Sequence, residues 1–98
     1  MENYGRQIGT WGEMHRRYLK NHRNGIYMGL LLKDTLWDYL AEVDEQAEIM
    51  MEVLIRQMKE AEDVTEELKA RDQMAWVRQM NSIHDRAREI VLRDLIYN

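Results

Sequence analysis

Leu36, Leu40, Val43, Ala47, Met50, Leu54 and Met58 recur every three or four residues, and Asp38, Glu42, Asp44, Glu45, Glu48 and Glu52 fall mostly between them. An apolar stripe at that spacing, with charge on the other faces, is the pattern of an amphipathic α-helix. The chain has no proline and no glycine beyond Gly29, so no breaker interrupts the stripe. The spacing predicts one long helix from Leu36 to about Ala61, begun by Asp34 or by Thr35 in a Thr35-x-x-Asp38 capping pattern. The remaining segments read as cover for it.

Downstream, Asp63-Val64-Thr65-Glu66 places a capping acid three residues before a glutamate, the sign of a tight turn into another helix. That last helix is expected from about Thr65 to Ile96, with Val64, Leu68, Ala75, Trp76, Met80, Ile83, Ala87, Ile90, Val91 and Leu95 on one stripe. Upstream, residues 1–9 show no period and read as an irregular arm. Thr10-Trp11-Gly12-Glu13 has capping-box spacing and opens a helix to about Arg23, with Met14, Tyr18 and Leu19 inward. Asn24-Gly25 supplies its stop. Ile26 to Leu32 is short and apolar, fitting a strand or a buried helix; with no second strand-like segment to pair with, helix is preferred.

These elements predict an all-α fold over residues 10–98 as a single helical domain. Its centre is a long antiparallel helical hairpin, with one or two short N-terminal helices packed against it in a three- to four-helix bundle. Two helices of nearly thirty residues are roughly 40–45 Å long, and short N-terminal helices cover only part of such a groove. Trp37, Met51 and Ile55 are expected to stay apolar and uncovered on the second side of the long helix, which predicts a homodimer.

Composition narrows the function classes. The absence of cysteine removes disulfides, zinc ribbons and thiol catalysis, and fits a reducing compartment. The apolar run Met28 to Leu32 falls far short of the ~20 residues that span a membrane, and the N-terminus has charge and glycines in place of a signal segment. A cytoplasmic protein without membrane contact is the expectation. The net charge of −4 is unevenly spread. Residues 1–33 hold six Lys or Arg against two acids, a net of +4; residues 34–70 hold three against twelve, −9; residues 71–98 hold five against four, +1. An acidic chain is a poor general nucleic-acid binder, yet its basic end keeps a local contact open.

Catalytic constellations do not assemble. Glu45, Glu48 and Glu52 with His84 evoke a carboxylate-bridged metal site, but such sites use a Glu-x-x-His pair, which is missing, and Ala47 and Met50 occupy the inward stripe. His15 and His22 are seven residues apart, about 10 Å along a helix, too far to chelate one ion, and are assigned to a polar surface. Ser82 and His84 do not face each other on a helix, and Gly5, Gly9 and Gly12 lack the Lys-Ser/Thr ending of a phosphate loop. No enzyme, metal or cofactor is expected. The eight methionines, and the aromatic residues with them, read first as core or interface.

The functional candidate is the first helix. Arg6, His15, Arg16, Arg17, Lys20 and Arg23, with His22, make a compact basic cluster able to contact phosphates. It is not a standard helix-turn-helix, because the next segment, Ile26 to Lys33, is apolar but for Lys33 and has nothing to read bases with. The competing reading pairs these charges with the acidic middle of the same or a neighbouring chain.

Several stretches together resemble the TnpV family of small transposon-encoded proteins. They are His15-Arg16-Arg17-Tyr18-Leu19-Lys20-Asn21-His22-Arg23, Leu36 with Tyr39-Leu40, Val43-Asp44-Glu45-Gln46-Ala47 and Val64-Thr65-Glu66-Glu67-Leu68-Lys69-Ala70. Gln73-Met74-Ala75-Trp76-Val77, Met80-Asn81, Ala87-Arg88-Glu89-Ile90-Val91 and Leu95-Ile96-Tyr97 continue them in order. The resemblance implies a non-enzymatic accessory protein of a transposon and brings no catalytic or binding motif to map. An excisionase-like helper of a recombinase at the element's DNA ends suits the basic first helix. The alternative is a homodimeric protein-binding or scaffolding module without nucleic-acid contact.

Overall fold

The structure, a computed structural model, describes residues 7–98. It is all-helical among those residues: α1 (Thr10–His22), α2 (Asn24–Leu32), α3 (Leu36–Ala61), α4 (Glu66–Arg71), α5 (Gln73–Val91) and a closing π-helical turn (Leu92–Ile96). Of the arm expected over residues 1–9, residues 7–9 carry no regular structure and the rest lie outside the described residues.

The predicted stripe of α3 is the spine. Leu36, Leu40, Val43 and Ala47 are buried, and Met50 and Leu54 pack at the edge of the same core. Val43 and Ala47 share that core with Trp11, Val91 and Ile96, while Glu62, just past the other end of α3, binds Arg86. The start of α3 therefore meets the end of the chain, and α3 and α5 run antiparallel. The radius of gyration, 17.1 Å, exceeds the roughly 13 Å of a compact domain of this length, and the molecule measures 55 × 26 × 18 Å. Much of each helix consequently has a partner on one side only.

Three boundaries differ from expectation. The last helix is broken: Asp72 leaves helical geometry (φ −148°, ψ 85°) and its carboxylate accepts from the Ala75 amide at 3.1 Å. An aspartate that caps the following turn competes with helix continuation, and this splits α4 from α5. The turn after α3 is capped by Thr65, which accepts from the Leu68 amide at 3.1 Å; Asp63 instead takes the left-handed bend (φ 58°). Gly25 is not a stop. The chain bends at Arg23 (φ −136°, ψ 52°), and Asn24 and Gly25 open α2.

The start of α1 is held from a distance. Thr10 lies inside the helix and makes no capping box; Asp44 of α3 caps it instead, accepting from the Gly9 amide at 3.1 Å and the Gly12 amide at 2.9 Å. A carboxylate against the free amides of a helix N-terminus satisfies their donors and complements the dipole. Gly12 is required for this approach: a Cβ there would lie 2.9 Å from the Ile8 Cβ and 3.1 Å from the Leu40 carbonyl oxygen. Thr35 likewise makes no side-chain cap for α3, its hydroxyl turning to the Leu30 carbonyl, while Asp34 takes the left-handed conformation (φ 61°) that ends α2.

Candidate functional site

The inward face of α1 is Trp11, Gly12, His15 and Leu19, with Met14 and Tyr18 half-buried beside them. His15 thus belongs to the core, only 3% exposed. Its Nδ1 donates to the Ile96 carbonyl oxygen at 2.8 Å, the ring nitrogen holding the proton because a carbonyl only accepts. Its Nε2 is hydrogen-bonded to the Tyr39 hydroxyl at 2.9 Å. One side chain of α1 therefore ties α3 to the closing π-turn, and both of its polar atoms are used inside the protein. The expected surface position of His15 is corrected on that ground. His22 does lie at the surface, its ring 5.3 Å from that of Tyr18.

The arginines divide as well. Arg16 is half-buried and clamps Glu13 through Nε at 2.9 Å and an Nη at 2.7 Å. Arg17 binds the same carboxylate at 3.1 Å but is 72% exposed. Arg16 above all, and Arg17 with it, hold the Glu13 carboxyl below the usual carboxylate range. Glu13 in turn raises the Arg16 guanidinium above its ordinary range, with a smaller contribution from the Tyr27 hydroxyl of α2. Arg16 is thereby held within α1 by Glu13. Lys20 and Arg23 are exposed and, among the described residues, make no ion pair. Lys20 follows Arg16 by four residues and Arg17 by three, so all three share one side of α1. Arg6 lies outside the described residues.

Beside these cations is an open cleft of about 440 Å³ lined by Met14, Arg17, Tyr18, Asn21, His22 and Tyr97. Tyr97 closes it, its ring 5.5 Å from Tyr18 and its hydroxyl 3.9 Å from the Met14 sulfur. A larger groove, about 800 Å³, runs along the far half of α3 past Ile55, Lys59 and His84. No nucleophile and base are joined by a hydrogen bond in either. Among the described residues no group of three or more His, Asp or Glu is placed to hold a metal, and no helix is long and apolar enough to cross a membrane.

Trp37, Met51 and Ile55, expected to be uncovered, are each partly covered. Met51 packs on the core, Ile55 is half-buried along the large groove, and Trp37 is half-buried with its indole N–H lacking a hydrogen-bond partner. The exposed large hydrophobic residues include Ile26, Met28, Leu31 and Leu32, all on α2, together with Ile49, Met74 and Tyr97. No residue of α2 is buried.

Compared with known proteins, residues 1–96 match the family model described as transposon-encoded protein TnpV. No curated protein and no solved structure matches the chain.

Proposed function

This chain belongs to the TnpV family of transposon-encoded proteins, and we propose that within it the protein is a non-catalytic accessory factor that touches DNA through α1. The observation that carries this reading is the set Arg17, Lys20 and Arg23, exposed at one end of the molecule and bonded to no residue of the acidic segment. Charge is segregated along the body, with Glu42, Glu45, Glu48 and Glu52 exposed on α3. A polyanion is repelled from that length and attracted to the α1 end, which fixes orientation as well as contact. The exposed Arg17–Glu13 pair contributes at most about 1 kcal/mol, so a phosphate competes for Arg17 at little cost. In this role the protein serves a recombinase at the element's ends, as an excisionase does.

The experiment is fluorescence anisotropy at low salt on a duplex of the element's terminal sequence, comparing the wild type with Arg17→Ala/Lys20→Ala/Arg23→Ala. The expected result is a loss of at least tenfold in affinity for the variant; equal affinities refute the assignment of these residues.

A second reading, a protein-binding module without nucleic-acid contact, is favoured by one observation, the uncovered apolar helix α2.

A further inference from the structure

The helix α2 is anomalous within its own chain. Nine residues, Asn24-Gly25-Ile26-Tyr27-Met28-Gly29-Leu30-Leu31-Leu32, contain no charge, although a third of the protein is charged. None of them is buried. A helix this short does not persist alone in water, and here Tyr27, Gly29 and Leu30 are its least exposed residues, each only half-buried. Gly25 and Gly29 each weaken it relative to alanine, and nothing inside the chain requires them. A Cβ at either would meet no atom within 4 Å, and neither has a positive φ.

Helical spacing groups the anomalies. Gly25, Gly29 and Leu32 are related as i, i+4 and i+7 and share one face. Leu32 is 80% exposed, the most exposed large hydrophobic residue described, and stands one turn from the notch left by the two glycines. Met28 and Ile26 flank it, also exposed.

We propose that α2 is the contact between two copies of this chain, packed antiparallel about a two-fold axis. In that arrangement Leu32 of each copy seats in the Gly25–Gly29 notch of the other, so one face supplies both knob and hole. Small residues four apart let helix backbones approach closely enough for such packing. Two features favour a second copy over a foreign partner. A two-fold contact sets a patch against itself, so any charge near the axis would meet its like, and α2 has none. The antiparallel arrangement also opposes the two helix dipoles head to tail. The contact is independent of nucleic acid, yet it sets two α1 basic faces on one particle, each α1 continuing directly into α2.

A nine-residue helix makes a small interface, so association is concentration-dependent. The test is sedimentation velocity on the full chain from about 1 µM to 1 mM without DNA. The expected result is a mass rising from 11.9 kDa toward twice that value. Leu32→Glu puts a charge on the axis and is expected to weaken association at least tenfold with the helical circular-dichroism signal unchanged. Gly29→Leu fills the notch without an internal clash, and is expected to weaken association equally while the dilute monomer melts no lower than the wild type. A monomer throughout the series overturns the proposal. So does a dimer in which both variants associate like the wild type, because the contact then lies on another surface.

Discussion

Replacing His15 with alanine removes a side chain that bonds both α3 and the closing π-turn. Two acceptor or donor groups lose their partner, the Ile96 carbonyl at 2.8 Å and the Tyr39 hydroxyl at 2.9 Å. Stranding a polar group in a buried site costs about 1–3 kcal/mol, and the ring's own volume is lost in addition. Because Tyr39 is only half-buried, water repairs part of its loss. The net expectation is about 3 kcal/mol, out of a total stability of about 5–15 kcal/mol for a domain of this size. At about 4–8 °C per kcal/mol, Tm falls by about 12–24 °C. Circular dichroism at low protein concentration reads this, with Arg17→Ala as a surface control that stays within about 0.5 kcal/mol. Tyr39→Phe alone costs about 1 kcal/mol, and the double variant costs less than the sum of the singles, since each single strands the other partner. A loss below about 1 kcal/mol for His15→Ala, or strict additivity with Tyr39→Phe, refutes the reasoning.

Further outcomes follow from the same packing. Gly12→Ala gains helix propensity but drives a Cβ against the Leu40 carbonyl oxygen, so urea titration is expected to show a net loss of about 1–3 kcal/mol. Asp44→Ala uncaps α1 from a distance and is expected to cost about 1–2 kcal/mol, with hydrogen exchange faster at the amides of Gly9 and Gly12. Burial raises the Tyr39 phenol above its ordinary value. Its contribution to stability is therefore complete below the unfolded value of about 10 and is lost as pH rises above it, a slope that Tyr39→Phe should reduce.

The sequence made α3 legible because its stripe is long and uninterrupted, and the predicted bounds Leu36 to Ala61 are those observed. The break at Asp72 was hidden: the apolar period continues across it from Leu68 to Trp76, and only the side chain's bond to the Ala75 amide tips the balance. The cap of α1 was out of reach for a different reason, since its acceptor, Asp44, lies 35 residues beyond Gly9. His15 did carry a local signal. Trp11, His15 and Leu19 are each four apart, a stripe that places the histidine inward, but five cations nearby suggested a surface. For α2, an apolar run that short signals a helix without saying whether anything covers it. Exposure there is a property of the assembled chain, where α1 and α3 leave its outer face open.

The most direct test of α1 as a DNA contact is the salt dependence of binding to the terminal duplex and to a scrambled one. Three phosphate contacts per chain, from Arg17, Lys20 and Arg23, predict that log K falls with log salt at a slope of about −3, tightest at the lowest salt. The Arg17→Ala/Lys20→Ala/Arg23→Ala variant should flatten that slope on both duplexes, with the wild type preferring the terminal sequence. Absence of binding at the lowest salt, where phosphate contacts are strongest, contradicts the account and leaves the protein-binding module as the function of the fold.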